Sequence, residues 1–217
     1  MQRKWGAMLL LGMAWLFISG FHLPSQMIVG QVPEKFDQAK ATALKVAYLR
    51  YIAEYTTWPS SKLGASDSPI NFCVLGHDVE GMARTIDRLI IESGFSIQGR
   101  PVHLEILSRG ILPFLSVNTE LAESIRSCHL LYVLPSEKIR WDDLRELISS
   151  RSIVTVSEME GFTKKDGMIQ FVLTSADNGS MRYTLHINLK HCRKTGLRLS
   201  AKFLNLKEAV RIVEFPD

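Results

Sequence analysis

Cys73, Cys128 and Cys192 are the three cysteines of this chain, and a thiol can form a disulfide, ligate a metal or act as a nucleophile. No two of them have C-x-x-C spacing, so neither a zinc ribbon nor a thioredoxin-type motif is present. A metal reading would draw on His186, His191 and Cys192. His186 falls in a predicted strand, however, while His191 and Cys192 are neighbours on a predicted helix and point apart, with no ligand at i+4; no metal and no cofactor are expected. The run Gly76-His77-Asp78-Val79-Glu80-Gly81 follows a predicted strand and opens a helix, a place where anions bind. Gly76, His77 and Gly81 are therefore the candidate small-ligand contacts, although the run is neither a P-loop nor a dinucleotide fingerprint, and Gly76 reads more simply as a strand terminator. There is no G-x-S-x-G elbow. Asp142, Asp143 and Glu146 make an acidic helix face beside Lys138, Arg140, Arg145 and Arg151, which reads as solvated surface. No catalytic residue is expected, and the chain reads as non-enzymatic.

The elements that would position these residues follow from hydrophobic period. Residues 36–57 read as a helix whose apolar face is Phe36, Ala39, Ala43, Leu44, Ala47, Leu49, Tyr51 and Ile52. Trp58-Pro59 closes it, because a residue before proline avoids helical geometry. Strands are predicted at 70–75, 102–107, 128–134 and 153–156, with helices at about 79–92, 120–125 and 137–149, the last capped by Ser136. This alternation predicts an α/β domain: a mostly parallel, doubly wound sheet of Rossmann or flavodoxin-like type, with helices on both faces. Residues 168–174 and 181–188 flank Asn178-Gly179, a strong hairpin signal, and helical pieces follow at about 188–194 and 199–211. The domain is expected over 36–212 without a linker or repeat.

In a flavodoxin-like order the strands carrying Cys73 and Cys128 would be neighbours. Counting back from Gly76 and Pro135, their register differs by about four residues, roughly 13 Å along a strand, too far for a bond without an irregular strand start. A disulfide and two buried thiols both stay open on this reading, and Cys192 reads as a lone helix thiol.

The first 30 residues differ from the rest. Arg3 and Lys4 precede the charge-free run Trp5–Gly20, and no acidic residue occurs before Glu34. A basic start and roughly 16 apolar residues, short of the about 20 of a spanning helix, describe a secretory signal peptide over 1–30, ending after Gly20 or Gly30. Its removal takes away two positive charges and lowers the formal net charge from +4 to +2. So mild a balance gives no case for nucleic acid, and an exported chain permits disulfides.

Leu44–Ile52 with Trp58-Pro59, Cys73–Gly76, Cys128–Tyr132, Val154–Ser157, Gly161-Phe162, Gly167–Ile169, His186–Leu189 and Gly196–Leu204 occur in the order and spacing of the YfiR family. The chain resembles that family over about residues 42–207. The resemblance implies a periplasmic regulator that represses a membrane-bound diguanylate cyclase of the YfiN type by protein contact, lowering cyclic-di-GMP output. Other members stand beside sensor kinases, and a homodimer is also admitted. It implies that Cys73 and Cys128 form the disulfide. Some members carry a further cysteine pair near the hairpin; this chain departs from them, with Phe162 and Ile169–Phe171 there. The residues nominated for partner contact are Trp58 and Pro59 at the corner and Phe162 in the 161–168 loop, with a buried corner aromatic as the plainer reading of Trp58. The alternative function is a periplasmic small-ligand module at Gly76–Gly81.

Overall fold

Apolar residues in the central strands run without alternation, as strands buried on both faces must. Ile70, Phe72 and Val74 face one side with Leu130 and Tyr132, where Val46, Leu49 and Ile52 of the first helix cover them together with Met82 and Ile86. Cys73, Leu75, Leu131 and Val133 face the other, under Ile125, Trp141, Leu144 and Ile148. A computed structural model describes residues 37–107, 119–175 and 181–215; the expected signal peptide and the Asn178-Gly179 turn lie outside the described residues.

In chain order the elements are α1 (Gln38–Glu54), β1 (Thr56–Thr57), α2 (Ser60–Leu63), β2 (Ile70–Leu75), α3 (Met82–Ser93), β3 (Ser96–Ile97), β4 (Arg100–Leu107) and α4 (Thr119–Ser127). There follow β5 (Leu130–Val133), a 3-10 turn (Pro135–Arg140), α5 (Trp141–Ile148), β6 (Val154–Ser157) and a second 3-10 turn (Phe162–Lys165). The chain closes with β7 (Ile169–Ser175), β8 (Met181–Ile187), α6 (Leu189–Lys194), β9 (Arg198–Leu199), α7 (Ala201–Leu204) and β10 (Val210–Ile212). The main sheet has eight strands in the order β10-β8-β7-β6-β5-β2-β4-β3. Its pairs are parallel except β7 with β8 and β3 with β4. The chain runs outward from β2 to β4, then returns past it to β5 and β6. Met82 and Ile86 of α3 pack with α1 on one face, and α4 and α5 pack on the other.

Four expectations need correction. The buried face of α1 is Ala41, Thr42, Lys45, Val46, Leu49, Ile52 and Ala53, while Leu44 and Tyr51 are 44% and 53% exposed. Ser136 caps no helix: its Oγ accepts the His77 N–H at 2.9 Å, and Pro135–Arg140 is 3-10 before α5 begins. Residues 199–211 are no single helix. Leu199 pairs with Thr56 in a two-stranded ribbon, Ser200 caps the short α7, and β10 returns to the sheet beside β8. Finally, Cys128 does not lie on β5, which starts at Leu130; it lies in the link from α4.

Candidate functional site

That last difference settles the cysteine geometry. Cys73 is paired in the sheet with Leu131, so a strand-borne Cys128 would have been three positions away. The Cys128 N–H instead donates to the Ile125 carbonyl in the closing turn of α4. The link lies over the sheet face to which Cys73 points, and the two cysteines are joined with 5.9 Å between their Cα atoms. The register objection fails because it counted residues along a strand that had not yet begun. Both cysteines are fully buried. Cys192 is the free cysteine, its thiol pushed up to about 12 by burial, which leaves it protonated and unreactive.

The residues flanking Cys128 are fixed from three directions. The Trp58 indole N–H donates to the His129 carbonyl at 3.2 Å. His129 Nδ1 accepts the Asn71 N–H at 2.9 Å, so its Nε2 carries the proton and donates to the Lys62 carbonyl at 3.1 Å. Asn71 Nδ2 donates to the Ser127 carbonyl at 3.1 Å, and the Lys62 ammonium to the Arg126 carbonyl at 2.6 Å. Burial, then the nearby Arg151, brings Lys62 down to about 8. Trp58 therefore works inward, as the plainer sequence reading has it: it is buried and ties the W-P corner to the disulfide segment. Phe162 is buried too, against Trp141 at 4.4 Å between ring centroids and beneath Gly167, where an added Cβ would sit 2.6 Å or less from its ring. Of the three nominated contact residues, Pro59 alone is partly exposed.

At the carboxyl ends of the strands, Gly76 has φ +114°, and a Cβ there would meet Ser136 Oγ at 2.5 Å and Leu134 Cβ at 3.0 Å. The crevice between β2 and β5, where a ligand would enter such a sheet, is filled by the chain itself. Asp78 accepts the Met82 and Ala83 N–H groups at 2.9 and 2.8 Å, so the anion position at the start of α3 is taken by a native carboxylate. Gly81 precedes the helix in a left-handed conformation with open space around it.

The same edge holds a cluster that sequence reading missed. Lys45, fully buried on α1, donates to Glu80 after β2 and, at 3.1 and 3.2 Å, to both oxygens of Glu158 after β6. Tyr132 of β5 donates to Glu158 Oε1 at 2.9 Å. Burial alone would lower Lys45, but its hydrogen bond to Glu80 and the charge of Glu158 outweigh it and hold the ammonium above its ordinary value. Burial, then Glu158, raises the Tyr132 phenol well above its own. A lysine held protonated between two carboxylates is no nucleophile; the cluster clasps α1 to two strand ends. Its one trace in sequence is a lysine at i+4 from Ala41 and i−4 from Leu49, on the buried face of the helix.

No group of three or more His, Cys, Asp or Glu that could hold a metal occurs among the described residues, and none of their helices is long and apolar enough to cross a membrane. The model of one protein family, described as YfiR/HmsC-like, matches residues 42–207. No curated protein matches the chain.

Proposed function

The chain belongs to the YfiR/HmsC-like family, and from that premise we propose that it is a periplasmic regulator which restrains a membrane-bound diguanylate cyclase of the YfiN type through protein contact. The observation that carries the reading is the family match across residues 42–207. At the sites described above the buried lysine is held protonated, the free thiol is unreactive, and the strand-end crevice is filled. The mechanism is occupancy. A regulator that binds the inactive form of the cyclase more tightly than the active form holds it off, and its loss releases activity.

Export by residues 1–30 and a doubly wound, flavodoxin-like winding belong to the same proposal, the second supported by the order β4-β2-β5-β6. Partner contact at the corner would use Pro59, the exposed member of the Trp58-Pro59 pair. No particular observation favours the small-ligand module at Gly76, His77 and Gly81. The test is co-purification of the tagged full-length chain from detergent-solubilised membranes, with and without reductant. A diguanylate cyclase should be captured; capture of a sensor kinase in its place would move the proposal to that partner, and recovery of no membrane signalling protein would overturn it.

A further inference from the structure

Formal charge is divided unevenly along this chain. Residues 181–215 hold eight Lys and Arg against two Glu, whereas residues 5–180 hold 16 against 19 acidic residues. The excess gathers around α6. Three adjoining hollows of about 460, 340 and 300 Å³ surround that helix. The first two share Leu189 and Arg193, and the last two share Lys190 and Phe215, so they form a continuous trough.

The largest hollow has Arg193 and Arg198 at its rim, Leu197, Leu199 and Leu204 in its wall, and no acidic side chain. Neither guanidinium meets a carboxylate among the described residues. The smallest hollow adds Lys164 and Lys194; its one acid, Asp166, is engaged by Arg145 at 2.9 Å. Glu214 in the middle hollow is the remaining acid.

We propose that this trough docks an acidic polypeptide segment that carries an apolar side chain between its carboxylates. Unpaired guanidiniums call for carboxylates. In the largest hollow Leu197 is fully buried and Leu199 is 9% exposed, a recess that can receive a protruding side chain; of the trough's apolar lining only Ile212 is exposed, less than the broad outward apolar face that a bilayer calls for. A trough of three linked hollows is also longer than a lone anion requires. The inference rests on reading the chain as a partner-binding protein and supplies the chemistry of the partner's contact.

The test uses the purified full-length chain and a fluorescent peptide carrying a Phe-Leu pair between two acidic runs, with binding read by anisotropy at low and moderate salt. The peptide should bind, more weakly as salt rises. The exposed double substitution R193E/R198E should weaken it at least about tenfold, about 1.4 kcal/mol, while R84E/R88E on α3 should leave it unchanged. A peptide with Ser-Ser in place of Phe-Leu should bind less well. Four results would each overturn the proposal: no binding, equal binding of the Ser-Ser peptide, equal loss in the α3 variant, or preference for phosphatidylglycerol vesicles. Because no cyclase is involved, a failed membrane capture beside a bound peptide would sink the cyclase reading alone.

Discussion

At Lys45 a full charge stands on a helix face otherwise made of Val46, Leu49 and Ile52, and its two carboxylate partners lie 35 and 113 residues away. Removing one member of a buried pair costs roughly 3–5 kcal/mol; with Glu80 and Glu158 still 25% and 20% exposed, Lys45→Met should cost about 2 kcal/mol. A shift in the urea midpoint at unchanged slope would measure it, and a variant as stable as the parent would show that the clasp contributes nothing. Gly76→Ala joins a strained positive φ to a clash with Ser136 and Leu134, and should cost about 2 kcal/mol by the same measurement, within the range for strained backbone. Wild-type stability in that variant would mean that the turn relaxes freely. Lys45 could not be singled out from sequence, and Gly76 stood there only as a strand terminator or a ligand contact, because what surrounds each is assembled from distant elements.

Among the elements, those that declare themselves in sequence are those whose burial is local in pattern. β2, β5 and β6 are short, mostly apolar runs between turns, and α5 has one apolar stripe of Trp141, Leu144 and Ile148. The misses have physical causes. The face of α1 was misphased because Leu44 and Tyr51 look like core residues but stay exposed, while Lys45 and Thr42 take buried positions through partners supplied elsewhere. β1, β9 and β10 have two or three residues each and exist only through strands far away in the chain. The disulfide belongs to this scale, since it fastens the end of α4 to the middle of β2 across 55 residues. In the chain-entropy account a loop of that size stabilises by about 4 kcal/mol, so C73A/C128A should lose most of that in chemical denaturation. Thiol titration of the unfolded protein should find one reactive thiol without reductant and three after reduction. Three in both conditions would refute the bond.

For the molecule as a whole, titrating groups bound the stable range of pH on both sides. On the acid side His129, His186 and His191 are all held below their ordinary value, chiefly by burial, with Asp166 opposing at His191. A depressed histidine means that the unfolded chain binds the proton first. Its contribution is therefore full above the unfolded value near 6.5 and is lost as pH falls below it. His129 adds a structural reason, because a proton on Nδ1 displaces the Asn71 N–H from the segment that holds Cys128. On the alkaline side Cys192 is pushed up from 9.0 to about 12, and Tyr132, Tyr183 and Lys45 are raised from 10.0, 10.0 and 10.5. Raised values give stability that is full below the unfolded values and lost as pH climbs past them. Lys62, lowered from 10.5 to about 8, works the other way: it adds stability as pH rises through that interval, alone up to about pH 9 and against Cys192 above it. Urea midpoints should thus be highest near about pH 9 to 10, falling steadily above that and on the acid side below about pH 6.5. His129→Gln should flatten the acid limb, since glutamine does not titrate. An acid limb unchanged by that substitution, with the His129 ring titrating at its ordinary value by NMR, would remove His129 from the account and leave the decline to His186 and His191.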